Sequence, residues 1–486
     1  MDELTIATQA GQVRGSRVGG VNRWLGIPYA SASRFAAPEP VVPWAGIRDA
    51  SRHGPQCPQM YGNSVKRARM AAPDFAEDCL TLNIYAPDRK DGDDVRGRPV
   101  YVWIHGGAFV AGSGNSYDGA ELARNGDIIV VTINYRLGVL GFVNFGDAFP
   151  GSGIPSNLGL RDQIAALEWA KENIAAFGGD PSRVTIGGQS AGSMSVSLLL
   201  HAKQAWPLFH GAIMQSGAVS LIHSREKSRD IAGQYVRALG LGDDPAALRN
   251  MDIARLFSAQ AAVGAANPGT IPAAPWFDGD LIPASLDEIH AAQAAPVPLI
   301  AGAARDEIRL FELMPGDILP TAWPVIEDLL HDQLGPDHAQ RVLAAYPRTK
   351  AGRRALATDL TFAMPTRHFA DRHARHSPTW YYRFDYSHPI AGATHGLDLT
   401  LTWPMHGIRA ALARGGRMAG KRADLGARMN AHYAHFVRHG RVADDWPGYG
   451  PERRPVKVFD LDDHVASALE EERWLAWAGR DVGGGL

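Results

Sequence analysis

The pentapeptide GQSAG at residues 188–192 carries the clearest chemical signal in the sequence. A strand-like run at 183–186 precedes it and an apolar, helix-like run at 194–200 follows it, so its serine falls on a sharp strand-to-helix turn. Small residues flank the serine because such a turn crowds its neighbours. The turn would lift Ser190 Oγ above the sheet and leave the N–H of Ala191 free at the start of a helix. In this context the pattern predicts a serine nucleophile, whereas the pentapeptide alone is a weak signal.

A second glycine-rich turn, HGGAF at residues 105–109, ends an earlier strand-like run. Two adjacent glycines allow the backbone to aim consecutive N–H groups at one point. Beside a serine nucleophile, the N–H groups of Gly106, Gly107 and Ala191 would form an oxyanion hole, which stabilises the charge that develops on an attacked carbonyl oxygen. Without the serine, the same residues would be a plain glycine turn.

Strand and helix signals alternate through the first half of the chain. Apolar runs without strict alternation, at 100–104 and 128–133, are typical of strands that are covered on both faces of a parallel sheet. A helix is predicted to begin at Asn157, a candidate N-cap, and to end at the glycines 178–179, before an Asp-Pro turn at 180–181. Strand, helix and strand in this order predict right-handed crossovers and an α/β fold, with a central, mostly parallel sheet flanked by helices.

The second half of the chain has weaker signals. Its predicted elements are strands at 296–301 and 380–385, helices at 231–239, 285–293, 326–334 and 426–438, and loops at 261–275 and 314–324. No repeat or heptad run interrupts this order.

Composition excludes several classes of protein. The 486 residues are 45% hydrophobic and 21% charged, which is enough apolar material for a packed core and excludes disorder over the whole length. With 49 Lys and Arg against 51 Asp and Glu, no overall charge favours nucleic acid or an anionic membrane. Two cysteines exclude a disulfide scaffold and a Cys-based zinc module. No apolar run could span a bilayer and the N-terminus does not read as a signal peptide, so we expect a cytoplasmic protein.

Further motifs, spread along nearly the whole chain, resemble those of type-B carboxylesterases, the family of bacterial p-nitrobenzyl esterases, animal carboxylesterases and cholinesterases. Besides the two glycine-rich turns, they are WLGIPYA at 24–30, EDCLTLNIY at 77–85, NYRLG at 134–138, NLGLRDQ at 157–163, FGGDP at 177–181 and WPGY at 446–449. The resemblance implies a single α/β-hydrolase domain over 1–486, with helical and loop insertions around an active-site gorge. The length alone would also allow about three domains.

The resemblance implies a catalytic triad in which Ser190 is followed first by an acid. The family's Gly-x-x-x-Asp-Glu segment matches residues 302–307 and assigns the acid to Glu307. Its neighbour Asp306 is the rival, and Ile308 stands where the family usually has glycine.

The histidine of the triad follows the acid. The family's His-Gly-x-Asp segment matches residues 395–398 and assigns this role to His395. His388 lies nearer the preceding strand but matches no motif. His105 would shape the glycine turn rather than transfer protons.

Three other positions bear on the chemistry through the resemblance. Ser216 and Asp398 match family positions that would support the catalytic histidine without being members of the triad. Gln189 stands where the family commonly has glutamate. Because an amide carries no charge, we expect no built-in attraction for cationic, choline-type esters.

The resemblance also has structural implications. Two pairs of residues match internal ion pairs of the family, although four solvated charges are the alternative: Arg34 with Glu77, and Arg136 with Asp162. Cys57 and Cys79 match a disulfide of secreted relatives, and the sequence leaves open whether they pair.

Taken together, these features predict a serine hydrolase that cleaves carboxylic esters of small to medium, mostly neutral substrates through an acyl-enzyme. No metal or organic cofactor is needed, and we expect a monomer or weak homo-oligomer. An amide or carbamate hydrolase of the same fold is the first alternative, and a non-catalytic cholinesterase-like binding protein is the second. A lipase is a weaker alternative because no clearly amphipathic lid helix is evident.

The walls of the substrate pocket are harder to predict. Candidate wall residues close to the motifs, for which core packing is the alternative, are Phe109, Phe311, Leu313 and Met314. Residues 56–75 and 261–277 are candidate gates.

Overall fold

A computed structural model describes residues 3–60, 74–88, 97–313, 319–389, 391–404, 418–467 and 469–482. The strands in these ranges are β1 Thr5–Ala7, β2 Gln12–Arg14, β3 Ser16–Val18, β4 Val21–Pro28, β5 Ile47–Asp49, β6 Thr81–Pro87, β7 Arg98–Ile104, β8 Ile129–Ile133, β9 Gly179–Gln189, β10 Gly211–Gln215, β11 Leu299–Ala304, β12 Thr379–Phe384, β13 Val456–Phe459 and β14 His464–Ala466.

The α-helices in the same ranges are α1 Ala120–Gly126, α2 Phe145–Ala148, α3 Leu158–Asn173, α4 Ala191–Leu199, α5 Arg225–Leu239, α6 Pro245–Arg249, α7 Ile253–Ala266, α8 Leu286–Ala291, α9 Trp323–Leu334, α10 Pro336–Ala344, α11 Lys350–Thr358, α12 Met364–His373, α13 Leu397–Thr402, α14 Ala419–His439 and α15 Glu471–Trp477. A π-helical turn, Asp359–Ala363, joins α11 to α12.

The main sheet has eleven strands in the order β14-β13-β12-β11-β10-β9-β7-β8-β6-β4-β3. From β13 to β8 all neighbours pair in parallel, and the strands at both ends of the sheet pair antiparallel. A small separate sheet contains β1, β2 and β5. This architecture is the predicted α/β-hydrolase fold, a large, mostly parallel sheet flanked by helices. A single domain over 1–486 stays a prediction.

The central strands are apolar on both faces because two hydrophobic clusters cover the sheet. On β7, Val102 and Ile104 belong to one cluster, while Tyr101 and Trp103 belong to the other. Successive side chains of a strand point to opposite faces, so both sets must be apolar. This burial explains the continuous apolar run from which the strand was predicted.

The predicted strands correspond to β7, β8, β9, β11 and β12, of which β9 extends beyond the predicted 183–186 at both ends and β11 is displaced along the chain. The run at 296–301 becomes Leu299–Ala304, which begins directly after Pro298. Proline has no N–H to give to a neighbouring strand, so regular pairing starts after the second proline of the run.

Several local predictions differ from the structure. The predicted loop at 261–275 begins as helix, because α7 continues to Ala266. The Asp-Pro turn expected at 180–181 lies instead within a bulge of β9: Gly179 pairs with Arg98, and the next residue that pairs with β7 is Val184. Asn157 does precede α3, but its side chain makes no capping hydrogen bond.

The side chain of Asn157 instead ties α3 to a distant segment. Its amide nitrogen donates to the carbonyl of Trp276 at 2.9 Å and to Asp278 at 2.7 Å, and its oxygen accepts the N–H of Trp276 at 3.1 Å. The side-chain oxygen, which would accept a helix N–H in a cap, accepts the N–H of Trp276 instead. Tertiary contacts therefore override the local signal.

Candidate active site

The predicted site residues follow four strands of the parallel part of the sheet. Because parallel strands end at the same edge, the segments that follow them lie near one another. The glycine turn follows β7, Ser190 follows β9, Glu307 follows β11 in a short 3-10 turn, and His395 lies between β12 and α13.

Ser190 occupies a strained turn. Its φ and ψ are 59° and −126°, a conformation that is rare for residues with a side chain. The turn is held by two hydrogen bonds: the N–H of Ser190 donates to Gln215 O at 2.9 Å, and Ser190 O accepts the N–H of Met194 at 2.9 Å. A Cβ on Gly192 would lie 2.1 Å from Ile104 O, so the close contact between α4 and the end of β7 requires glycine.

His395 and Glu307 form a buried pair. The imidazole Nδ1 lies 2.6 Å from Glu307 Oε2, while the other carboxylate oxygen accepts the N–H of Ala304 at 2.6 Å. A carboxylate accepts hydrogen bonds, so the neutral imidazole carries its proton on Nδ1 and a lone pair on Nε2. The rings of Phe311 and Phe362 flank the imidazole, with centroids 5.1 Å and 4.5 Å away. The histidine is thus fixed in both position and tautomer.

The two rivals have other partners. Asp306 Oδ2 accepts the N–H of Ala393 at 3.2 Å and lies 3.3 Å from the guanidinium of Arg305, so this carboxylate shapes the loop that leads to His395. His388 accepts the N–H of Ala391 at 3.3 Å within a tight turn of the same loop.

His395 contacts the residue that precedes Ser190. The Nε2 atom of His395 lies 3.1 Å from the side-chain amide of Gln189, the residue directly before the serine. The two aromatic rings that flank the imidazole also line a pocket together with Ser190.

The pocket beside Ser190 has an otherwise apolar lining. The lining residues are Ala108, Ser190, Ala191, Met194, Leu221, Ile271, Phe311, Leu319 and Phe362. Ile271 lies in one of the two candidate gates. No charged side chain is among these described residues.

The predicted walls are only partly correct. Phe311 lines the pocket, whereas Phe109 is fully buried and packs against Phe142 at 5.0 Å. The side chain of Leu313, residue 314 and most of the other candidate gate, 61–73, lie outside the described residues. Phe362 was missed because it comes from the π-helical turn, far from every motif in the sequence.

The glycine turn lies against the serine. A Cβ on Gly106 would lie 3.0 Å from Ser190 Cβ and 2.5 Å from Gln189 O. The turn is closed by Gly107 O, which accepts two backbone N–H groups, those of Val110 and Ala111, at 3.1 and 3.0 Å. In the described part of the chain, no acceptor takes the N–H groups of the three predicted oxyanion-hole residues, Gly106, Gly107 and Ala191.

His105 supports this turn from the side. Its Nδ1 lies 2.8 Å from Gly106 O, and its ring stacks on Tyr135 with centroids 4.4 Å apart. Burial lowers the pKa of His105 to about 4, so the ring is neutral at pH 7 and donates through Nδ1. A buried neutral imidazole in these contacts serves as a rigid support.

Ser216 and Asp398 are both buried, and their polar side-chain atoms lack hydrogen-bond partners among the described residues. Burial, and then the negative charge of Glu307, raise the pKa of Asp398 to about 7, while His395 acts in the opposite direction. The charge of Asp398 is therefore linked to that of the Glu307–His395 pair.

Two ion pairs that the family resemblance implies are present. Arg136 and Asp162 form a buried, two-pronged pair at 2.8 and 2.6 Å. Arg34 donates from Nε to Glu77 at 2.7 Å. The cysteines, whose pairing the sequence left open, are buried free thiols.

Within the described ranges, no three His, Cys, Asp or Glu side chains are grouped so that they could hold a metal ion. None of the helices there combines the length and apolar character needed to cross a membrane.

Comparisons with known proteins agree along the whole chain. Residues 2–477 match the model of the carboxylesterase family. The para-nitrobenzyl esterase of Bacillus subtilis is 34% identical over 97% of this chain and 98% of its own length, and carboxylesterase 4A of Bos taurus is 31% identical over 97% and 94%. Among solved structures, a PNB esterase superimposes with a TM-score of 0.87 at 33% identity over 98% of this chain and 99% of its own. A carboxylesterase of Geobacillus stearothermophilus superimposes with a TM-score of 0.83 at 34% sequence identity, over 98% of this chain and 100% of its own length.

Proposed function

This chain belongs to the carboxylesterase family and is a carboxylic ester hydrolase, and we propose that Ser190, His395 and Glu307 form its catalytic triad. The observation that carries the proposal is the buried hydrogen bond of 2.6 Å between His395 and Glu307, beside the pocket that Ser190 lines. Because Nδ1 of His395 donates to Glu307, the lone pair of Nε2 lies on the side of the imidazole that faces the serine turn.

The reaction begins when His395 Nε2 accepts the proton of the Ser190 hydroxyl as its oxygen attacks the ester carbonyl. Glu307 stabilises the imidazolium that forms. The N–H groups of Gly106, Gly107 and Ala191 hold the oxyanion, and each such donor typically contributes about 3 kcal/mol to lowering the barrier. The alcohol leaves with the proton from His395, and water then hydrolyses the acyl-enzyme by the same route.

The lining of the pocket supports neutral substrates of small to medium size. The apolar lining beside Ser190 suits an uncharged acyl or alcohol group. The uncharged side chain of Gln189 adds no attraction for a cation. We therefore expect no strong preference for acetylthiocholine over a neutral thioester of the same shape, and comparing the two kcat/KM values tests this.

A burst assay tests the triad proposal. The wild-type enzyme, mixed with excess p-nitrophenyl acetate, should release about one equivalent of p-nitrophenol rapidly before steady turnover, if deacylation is the slower step. Ser190→Ala should lose both the burst and nearly all turnover. Ser197→Ala is the matched control, because this buried hydroxyl on the same helix donates to Met194 O at 2.7 Å. A Ser190→Ala enzyme with a normal burst would overturn the assignment.

Several expectations stay predictions. They are the cytoplasmic location, the monomeric or weakly oligomeric state and the preference for esters over amides or carbamates. The esterase relatives leave no support for a non-catalytic binding protein.

A further inference from the structure

Gln189 contacts the atom of His395 that the proposed reaction needs. Its side chain is buried, and its amide nitrogen lies 3.1 Å from His395 Nε2. The amide oxygen faces the other way, since a Cβ on Gly106 would lie 3.3 Å from it. The amide is therefore oriented with its donor toward the imidazole.

The hydrogen bond can have only one direction. Because Glu307 takes the proton on Nδ1, the neutral ring presents a lone pair at Nε2. The NH₂ group of Gln189 donates to that lone pair. The same lone pair must accept the hydroxyl proton of Ser190 in the proposed mechanism, so the amide and the hydroxyl compete for one acceptor.

We propose that Gln189 is a positioning residue that holds Nε2 of His395 in the resting enzyme and yields it to Ser190 when substrate is bound. This inference rests on the proposed triad. Its amide favours the neutral imidazole, the form that acts as a base, because an NH₂ group can donate to Nε2 but cannot accept from it.

Proton transfer reverses this relationship. As the Ser190 O–H bond breaks and an N–H bond forms at Nε2, the ring becomes a cation with a donor on both nitrogens. The NH₂ group of Gln189 then has nothing to donate to and must withdraw or present its oxygen. The proton leaves later with the alcohol, which restores the resting contact.

Among the described residues, few other titratable groups face the imidazole. Glu307 is bonded to it, and Asp398, on α13, interacts with it through its charge. The segments that contribute Phe311 and Phe362 also carry Glu312 and Asp359. Those two carboxylates bind elsewhere: Glu312 pairs with Arg353 and Arg354, and Asp359 with Arg473.

Two variants of Gln189 test the proposal through the pH profile of kcat/KM. Gln189→Met keeps the length of the side chain but removes the donor, so the acid limb should move up by about half to one pH unit. Gln189→Glu places a carboxylate beside Nε2 and favours the imidazolium, so the limb should move up by about one unit or more. KM should change less than kcat, because Gln189 does not line the described pocket.

Gln163→Met is the matched control. This glutamine is also buried, and it donates to Ser195 Oγ at 3.1 Å, so its replacement should leave the limb in place. Rates are divided by the burst-titrated concentration of active sites, so partial unfolding does not move the limb. A loss of turnover in Ser190→Ala no greater than that in Ser197→Ala would overturn the proposed triad. A normal burst combined with unmoved limbs in both Gln189 variants would overturn the role of Gln189 alone.

Discussion

Two neighbouring carboxylates, Asp306 and Glu307, have different partners. Their substitutions should therefore lower kcat by different amounts. Glu307 binds the imidazole of His395, whereas Asp306 binds the backbone of Ala393. Glu307→Gln should lower kcat by about 10⁴-fold, as removal of the triad carboxylate does in other serine hydrolases. Asp306→Asn should lower it less than about tenfold, because the amide can still accept the backbone N–H. Steady-state rates with p-nitrophenyl butyrate compare the two, and equal losses would contradict the assignment.

Asp398 predicts a pH-dependent effect on stability. Its pKa is raised to about 7 in the folded protein, so between about pH 4 and pH 7 the folded chain holds a proton that the unfolded chain releases. The folded state then binds more protons, and this group's contribution to the free energy of unfolding falls as pH rises through that window. Asp398→Asn removes the effect, so the variant should gain stability relative to wild type, by about 4 kcal/mol at most.

Urea denaturation from pH 4 to pH 8 measures this gain. The difference between the midpoints of Asp398→Asn and wild type should increase up to about pH 7 and then stay level. A constant difference across the range would show that the carboxyl is not protonated in the folded protein.

At the scale of elements, the central strands and the serine turn could be predicted because their signals are local. Continuous apolar runs mark β7 and β8, and glycines mark the turn that carries Ser190. The walls of the pocket could not be predicted in this way. Leu221 and Phe362 are adjacent to the serine only because the chain folds back on itself, and nothing in their local sequence separates them from core residues.

The residues of the proposed triad could be predicted from the sequence, but one contact of its histidine could not. Acid and histidine were assigned from motifs in loops after two strands, and the parallel topology brings those loops to one edge of the sheet. The hydrogen bond from Gln189 to His395 was not predicted, because a motif gives residue types and not the direction of a side chain.

The glycine turn after β7 lies directly against the turn that carries Ser190, and this close contact predicts how a substitution at Gly106 affects activity. A Cβ at Gly106 would clash with Gln189 O, at 2.5 Å, and must push the glycine turn away from Ser190. Gly106→Ala should therefore lower kcat by about 10²- to 10³-fold through loss of oxyanion stabilisation. Gly420→Ala is the control, since no atom lies within 4 Å of its Cβ position on α14. Activity of Gly106→Ala within a few fold of wild type would contradict the proposed oxyanion hole.

At the scale of the whole molecule, stability depends on buried charges outside the described pocket lining as well as on the two apolar clusters. Arg136 and Asp162 connect the segment after β8 to α3, with side chains that are 5% and 0% exposed. Arg136 also donates to Ala36 O at 2.7 Å, so one guanidinium joins three parts of the chain. In such a place a charge without its partner is costly, because neither water nor another ion can replace the carboxylate.

Asp162→Asn should therefore destabilise the protein by about 3–5 kcal/mol, since it leaves the guanidinium of Arg136 buried without a counter-charge. Asp444→Asn is the matched control, because the Arg441–Asp444 pair is on the surface and solvent screens it. Urea midpoints at pH 7 should fall for Asp162→Asn and stay unchanged for Asp444→Asn. Equal midpoints for the two variants would contradict this prediction, because they would show that loss of the Asp162 charge does not destabilise the protein. In the folded fraction of Asp162→Asn the burst amplitude should be preserved, because neither residue of the pair lines the described pocket.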